Sequence, residues 1–152
     1  MNRQQSGFTL IELVVVIVIL DILAATALPR FVDLGGDARM SVMRGVEGSM
    51  RAANAMIYAR AANTAGALGA GPTAVAIGGG VNVNVVFGYA ENATQLALAM
   101  DLSPATDFTV NAGNIQHARA AVPGTCQVAY TASAAAGAPP TYTPTLTSAG
   151  CS

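Results

Sequence analysis

Lysine is missing altogether from this chain of 152 residues, and charge of either sign is scarce: 10% of the sequence, with a formal net charge of −1. So even a balance gives no electrostatic pull toward nucleic acid or an acidic surface, and nucleic-acid binding is not expected. Histidine occurs once, at His117, and cysteine only at Cys126 and Cys151. Three such side chains are too few for a closed zinc-type ligand set, so no metal is expected. No cofactor is expected either, and His117, beside Gln116 and Arg119, reads as a surface residue. Outside one helix face there are no paired acids for proton transfer, which excludes the common acid–base enzyme patterns. Six of the seven arginines lie between Arg3 and Arg60. The weakly charged C-terminal half therefore suits association, with copies of the same chain as the simplest partner.

What the sequence does have is apolar residues, 53% of the total, unevenly spread. Residues 1–7 are short, polar and positive through Arg3, and a nearly unbroken apolar run follows from Phe8 to Leu28. That is a targeting arrangement rather than the start of a folded domain. As a helix the run is about 31 Å long, enough to span a bilayer core. The arginine before it would keep the N-terminus cytoplasmic and the rest of the chain outside. Ala25-Thr26-Ala27 also fits cleavage as an ordinary secretory signal. Against that stands Glu12, a carboxylate costing about 3 kcal/mol near a membrane centre, which a disposable segment has no reason to carry.

Gly7-Phe8-Thr9-Leu10-Ile11-Glu12-Leu13, followed by the apolar run, resembles the type IV prepilin signature. The resemblance implies cleavage after Gly7 by a prepilin peptidase and methylation of the new amine on Phe8. It implies further that Glu12 meets the Phe8 amine of a neighbouring subunit during assembly, two charges that are costly alone in lipid and offset each other when paired. The similarity runs on through Ile19-Leu20 and Ile22-Leu23-Ala24-Ala25 to Pro29, with one departure: Asp21 stands where many members of that family have glycine. At 100° per residue Asp21 and Glu12 lie on opposite helix faces, so Asp21 needs its own account: pairing with an arginine of a neighbouring subunit such as Arg30, or staying protonated.

Beyond Pro29, where a kink is expected, apolar residues recur at Phe31, Leu34, Ala38, Val42, Val46, Met50, Ala53, Ile57 and Ala61, the stripe of an amphipathic helix. Asp33, Asp37, Arg39, Arg44, Glu47, Arg51 and Arg60 then form its outer face. Gly35, Gly36, Gly45 and Gly48 predict either close packing or fraying. Residues 66–72 contain glycines in a spacing that hints at a phosphate cradle, but they follow a helix and run into Pro72, so they read as a loop.

Val81-Asn82-Val83-Asn84-Val85 alternates as a half-buried strand. A short helix is expected within Glu91–Met100, and strands around Cys126–Thr131 and Tyr142–Thr147 with a turn at Pro139-Pro140 between them. Cys126 and Cys151 allow one pairing. In an oxidising compartment they read as a disulfide closing a loop of about 26 residues, worth roughly 3.5 kcal/mol on the loop-entropy account, with buried free thiols as the alternative.

These elements predict an α+β fold: one long N-terminal helix, membrane-spanning in its first half and amphipathic in its second, packed on a small antiparallel β-sheet, as in type IV pilins. The expected organisation is a leader over 1–7, a transmembrane and assembly helix over 8–28, and a periplasmic or extracellular domain over 29–152. The stretches Phe87-Gly88-Tyr89, Cys126-Gln127-Val128-Ala129-Tyr130-Thr131 and Ser148-Ala149-Gly150-Cys151 are most similar to mannose-sensitive haemagglutinin-type (MSHA-type) pilins. The resemblance implies a homo-oligomeric filament used in adhesion, surface attachment and biofilm formation. Its partners would be the prepilin peptidase, the inner-membrane pilus assembly machinery, and the inner membrane itself before assembly. A pseudopilin of type II secretion is the nearest rival, although such proteins generally lack the terminal disulfide loop. A soluble periplasmic binding domain is the more distant one.

Overall fold

A computed structural model describes residues 8–152, and the side chains of all of these except 27–33. One helix, α1 (Leu10–Ala61, 52 residues), runs through more than a third of the chain. Its start is fixed by a capping box: the Thr9 side chain accepts from the Glu12 amide while the Glu12 carboxylate accepts from the Thr9 amide. The backbone stays helical through Pro29, so the proline does not end the helix.

Two antiparallel sheets lie along the C-terminal half of α1, where the sequence predicted one. The first joins β1 (Thr73–Gly78), β2 (Val81–Val86) and β3 (Tyr89–Ala90) in that order. The second joins β4 (Phe108–Asn111), β5 (Asn114–His117), β6 (Cys126–Thr131) and β7 (Thr141–Leu146). A short helix α2 (Ala93–Ala97), capped by Asn92, links them, and a terminal turn of helix, α3 (Ser148–Cys151), follows β7. The alternation in β2 has the predicted sense: Val83 and Val85 are fully buried and Asn82 and Asn84 face out.

Between β2 and β3 the two-residue turn Phe87-Gly88 holds both residues at positive φ, 52° and 86°. That is the mirror-image turn whose twist suits a hairpin. Gly88 is required twice over, since a Cβ there would strike the ring of Tyr58 and the side chain of Leu68.

One core unites these layers. Met43, Val46, Met50, Ala53, Ile57 and Ala61 of α1 meet Val75, Val83, Val85, Leu96, Ile115 and Val128. The stripe read from the sequence is therefore right from Val46 onward. Before that point it fails: Leu34, Ala38 and Val42 are exposed, and Met43 takes the buried position. Here α3 packs on α1 at Gly36 and Arg39, and the core contact of the helix is carried by Met40 and Met43 instead. The close approach is at Gly36, buried, where a Cβ would collide with the Ser148 carbonyl. Gly45 and Gly48, by contrast, face open space.

Candidate assembly site

From Phe8 to Leu23, thirteen large apolar side chains stand 41–88% exposed. Among the described residues no other element covers this stretch, which leaves the most apolar described surface of the subunit bare. Each such side chain gains about 1.5–3 kcal/mol on full burial, and a patch of this extent marks a surface made to be covered. Among the described residues no helix is long and apolar enough to cross a membrane. The last two residues of the span expected over 8–28, Ala27 and Leu28, have side chains outside the described residues.

Within this surface Glu12 is the one carboxylate of the first two turns. Its Oε2 accepts from the Thr9 amide and the Thr9 hydroxyl, both at 2.8 Å. In the isolated subunit, then, the carboxylate is occupied by its own capping box yet remains exposed, beside a shallow hollow between Phe8, Leu13, Val16 and Ile17. Phe8 lies directly before the cap, one turn from Glu12. Asp21 is exposed on the opposite side of the helix, and nine residues of rise, about 13.5 Å, separate its backbone from that of Arg30, so the two cannot pair within one chain. The Arg30 side chain and Gly7, the expected cleavage position, lie outside the described residues.

Elsewhere the structure corrects two readings. Arg39 does not belong to a solvated outer face: its Nη1 donates to the Cys151 carbonyl at 2.9 Å. His117 is not a surface residue but is 5% exposed. Its Nδ1 accepts from the Arg119 amide at 3.2 Å and its ring is tilted against Phe108. Burial, reinforced by Arg39, holds its pKa below the ordinary histidine value, partly offset by Asp107. Asp37, Arg44, Arg51 and Arg60 are exposed as read, with Arg51 and Glu47 paired at 2.6 Å, while the Asp33 side chain lies outside the described residues.

Cys126 and Cys151 are joined in a disulfide and both are fully buried. The bond ties α3 to β6, and α3 in turn abuts α1 at Gly36 and Arg39. The arrangement is a clamp at the boundary between the bare and the covered halves of α1. Among the described residues no group of three or more His, Cys, Asp or Glu could hold a metal ion.

A feature the sequence did not reveal centres on Asn54, 1% exposed on the inner face of α1. Its Nδ2 donates to the hydroxyls of Tyr130 (3.1 Å) and Tyr142 (2.8 Å), and its Oδ1 accepts from the Ala90 amide (3.0 Å). Ala90 belongs to the first sheet and the tyrosines to the second, so one side chain pins both sheets to the helix.

Residues 2–28 match the prokaryotic N-terminal methylation motif. Over 44 residues the chain is 52% identical to the type II secretion system core protein G of Pseudomonas aeruginosa, covering 29% of this chain and 31% of that one. Over 55 residues it is 47% identical to the type IV narrow pilus major component PilA5 of Thermus thermophilus, covering 36% and 47%. Over 41 residues it is 56% identical to the type IV major pilin protein PilE1 of Neisseria gonorrhoeae, covering 27% and 25%. The matched stretches thus span less than half of each of these relatives. No solved structure matches the chain.

The motif, these relatives and the long helix laid on antiparallel sheets support a type IV pilin precursor with an α+β, type IV pilin-like arrangement. The MSHA-type subclass is not singled out by these matches.

Proposed function

We propose that this chain is a structural subunit of a type IV pilus filament, polymerised through the N-terminal half of α1. The observation that carries the reading is the run of thirteen exposed apolar side chains on a helix that begins at a methylation motif. In this reading prepilin peptidase cuts after Gly7 and methylates Phe8. The precursor is held by residues 8–28 in the inner membrane, with residues 29–152 on the periplasmic side, until the assembly machinery moves it into an extracellular pilus. Lipid and neighbouring helices are alternative covers for the same apolar surface, so transfer from one to the other leaves the helix itself unchanged.

Glu12 would exchange its Thr9 bonds for the Phe8 ammonium of the next subunit, and Asp21 would face Arg30 of another. Charge neutralisation in an apolar surround then sets the register between subunits. No catalytic role, metal or cofactor enters this scheme. Adhesion, surface attachment and biofilm formation are the roles proposed for the assembled fibre, as in MSHA-type pilins.

A second reading is favoured by the likeness to the secretion core protein G: a pseudopilin, forming a short piston in the cell envelope. One experiment separates them, namely the intact mass and N-terminal sequence of the protein in envelopes and in material sheared from the cell surface. A chain starting at Phe8 and bearing one extra methyl group in sheared fibres is the expected result. The same processed chain confined to envelopes would favour the pseudopilin, and a chain starting at Leu28 and free in the periplasm would overturn both.

A further inference from the structure

The single histidine of the chain is buried, and its hydrogen bond fixes which ring nitrogen carries the proton. His117 Nδ1 accepts from the Arg119 amide at 3.2 Å. An accepting nitrogen bears no hydrogen, so in this arrangement the ring is neutral and its proton sits on Nε2. A second proton has only Nδ1 to occupy. There it would point at the Arg119 N–H, donor against donor, and the bond that turns residues 117–119 back on themselves would be lost.

The surroundings of the ring give that proton little help. Arg39 on α1 and Arg119 just beyond β5 both oppose a positive charge at His117, while Asp107, at the end of the helical turn before β4, favours one. Asp107 is already engaged, its Oδ1 lying 2.9 Å from Arg119 Nε. From β4 the ring meets Phe108. On β6 the titratable side chains are Cys126, held in the disulfide, and Tyr130, bonded to Asn54 and Ala90. Protonation of His117 therefore sets a third cation beside two arginines and a single carboxylate.

The segment that begins at this turn also holds the end of the chain. Ala118 donates to the Asp107 carbonyl at 2.8 Å and Ala120 to the His117 carbonyl at 3.2 Å. The next two amides reach α3 and its cap: Ala121 donates to the Ser152 carbonyl at 2.9 Å and Val122 to the Gly150 carbonyl at 3.0 Å. The carbonyl between those two, that of Cys151, is the one Arg39 holds from α1 at 2.9 Å. One short strap thus bears on α3, and the turn at its root is closed only by the neutral form of His117.

We propose that residues 117–122 are an acid-released strap on α3: protonation of His117 opens the turn to Arg119, and Ala121 and Val122 let go of the terminal carbonyls. The Cys126–Cys151 bond keeps α3 attached meanwhile, so the opening is local and reverses when the proton leaves.

The test needs only the single subunit and is independent of filament formation. Amide hydrogen exchange is followed on the full chain in detergent from about pH 7.5 to about pH 4.5, each rate corrected for the intrinsic pH dependence of exchange. Because the histidine is unique, its titration is read in the same samples from the Cε1 proton resonance. Ala121 and Val122 are expected to exchange faster than Val128 of β6 throughout, and to lose protection roughly tenfold in step with the ring titration. In His117→Gln, whose side chain carries no charge at any pH, that step should vanish; should the variant not fold, the parent chain decides alone. The proposal is overturned if Ala121 and Val122 exchange no faster than Val128, which would make their opening global. It is overturned equally if their protection is unchanged while the ring titrates, or falls only at lower pH, where carboxylates take up protons.

Discussion

Asn54 and Tyr142 are 88 positions apart in the sequence, yet the amide of one donates to the hydroxyl of the other at 2.8 Å. The first belongs to the helix and the second to the last strand, so this contact ties α1 to the edge strand of the second sheet. It lies in a partly buried site, and burial raises the pKa of the Tyr142 phenol, as it does that of the more deeply buried Tyr130.

Asn54→Ala should therefore cost about 2–4 kcal/mol, because it strands the buried Ala90 amide and removes the shared donor of two phenols. Chemical denaturation of the parent and variant chains in the same detergent measures it. A loss below about 0.5 kcal/mol would mean that the two sheets hold to α1 by apolar packing alone.

Two glycines on the same helix should respond in opposite directions. Gly36→Ala pushes a methyl into the Ser148 carbonyl and should destabilise by about 1–3 kcal/mol despite the better helix propensity of alanine. Gly45→Ala meets open space and should stabilise the subunit by about 0.5–1 kcal/mol. Thermal unfolding of the two variants side by side is decisive, and equal shifts of the same sign would contradict the packing described at Gly36.

Much of this was legible in the sequence, and what was not has a common cause. The helix announced itself because its apolar spacing and the Glu47–Arg51 pair are local, and β2 because valine and asparagine alternate cleanly. In β1, Thr73-Ala74-Val75-Ala76-Ile77, alanine is too small to mark a face, and β4 and β5 are only four residues each. The node at Asn54 was invisible because an asparagine in an alanine-rich helix acquires its role only from Tyr130 and Tyr142, 76 and 88 positions away. His117 read as exposed because the β4–β5 hairpin that sets Phe108 against it was itself not seen in the sequence. At the candidate assembly site the motif was plain from Gly7 to Leu13, whereas the capping box that occupies Glu12 emerges only from the geometry of Thr9.

Acid should weaken the fold through His117. Its pKa is lowered in the folded state, so the unfolded chain takes up the proton first as pH falls below about 6.5. Stability should be constant above that value, decline as pH falls through the native pKa, and level off below it. His117→Gln should flatten this part of the profile; an unchanged slope in the variant would assign it to carboxylates instead.

Breaking the disulfide should cost about 3 kcal/mol or more, since it both opens a loop and frees α3 from α1. In the double variant Cys126→Ser, Cys151→Ser, the amides of residues 148–151 should exchange with solvent far faster, and protection should also drop near Gly36 and Arg39. Protection preserved at Gly36 would show that α3 docks without its covalent tie.

Glu12→Ala should leave leader cleavage and Phe8 methylation intact while reducing sheared fibre to background. Normal fibre yield from that variant would remove charge pairing from the assembly scheme.

Among the described residues, the clamp at Gly36 and Arg39 is the first place along α1 where another element grips the helix. Tension applied to the bare half can leave the helix there through the Arg39–Cys151 hydrogen bond and pass along the Cys151–Cys126 bond into β6, a strand paired on both sides. The disulfide is thus the rivet of a load path: a fibre built from such subunits would pass a pull along its helices while sparing the small first sheet, which hangs to one side of that line.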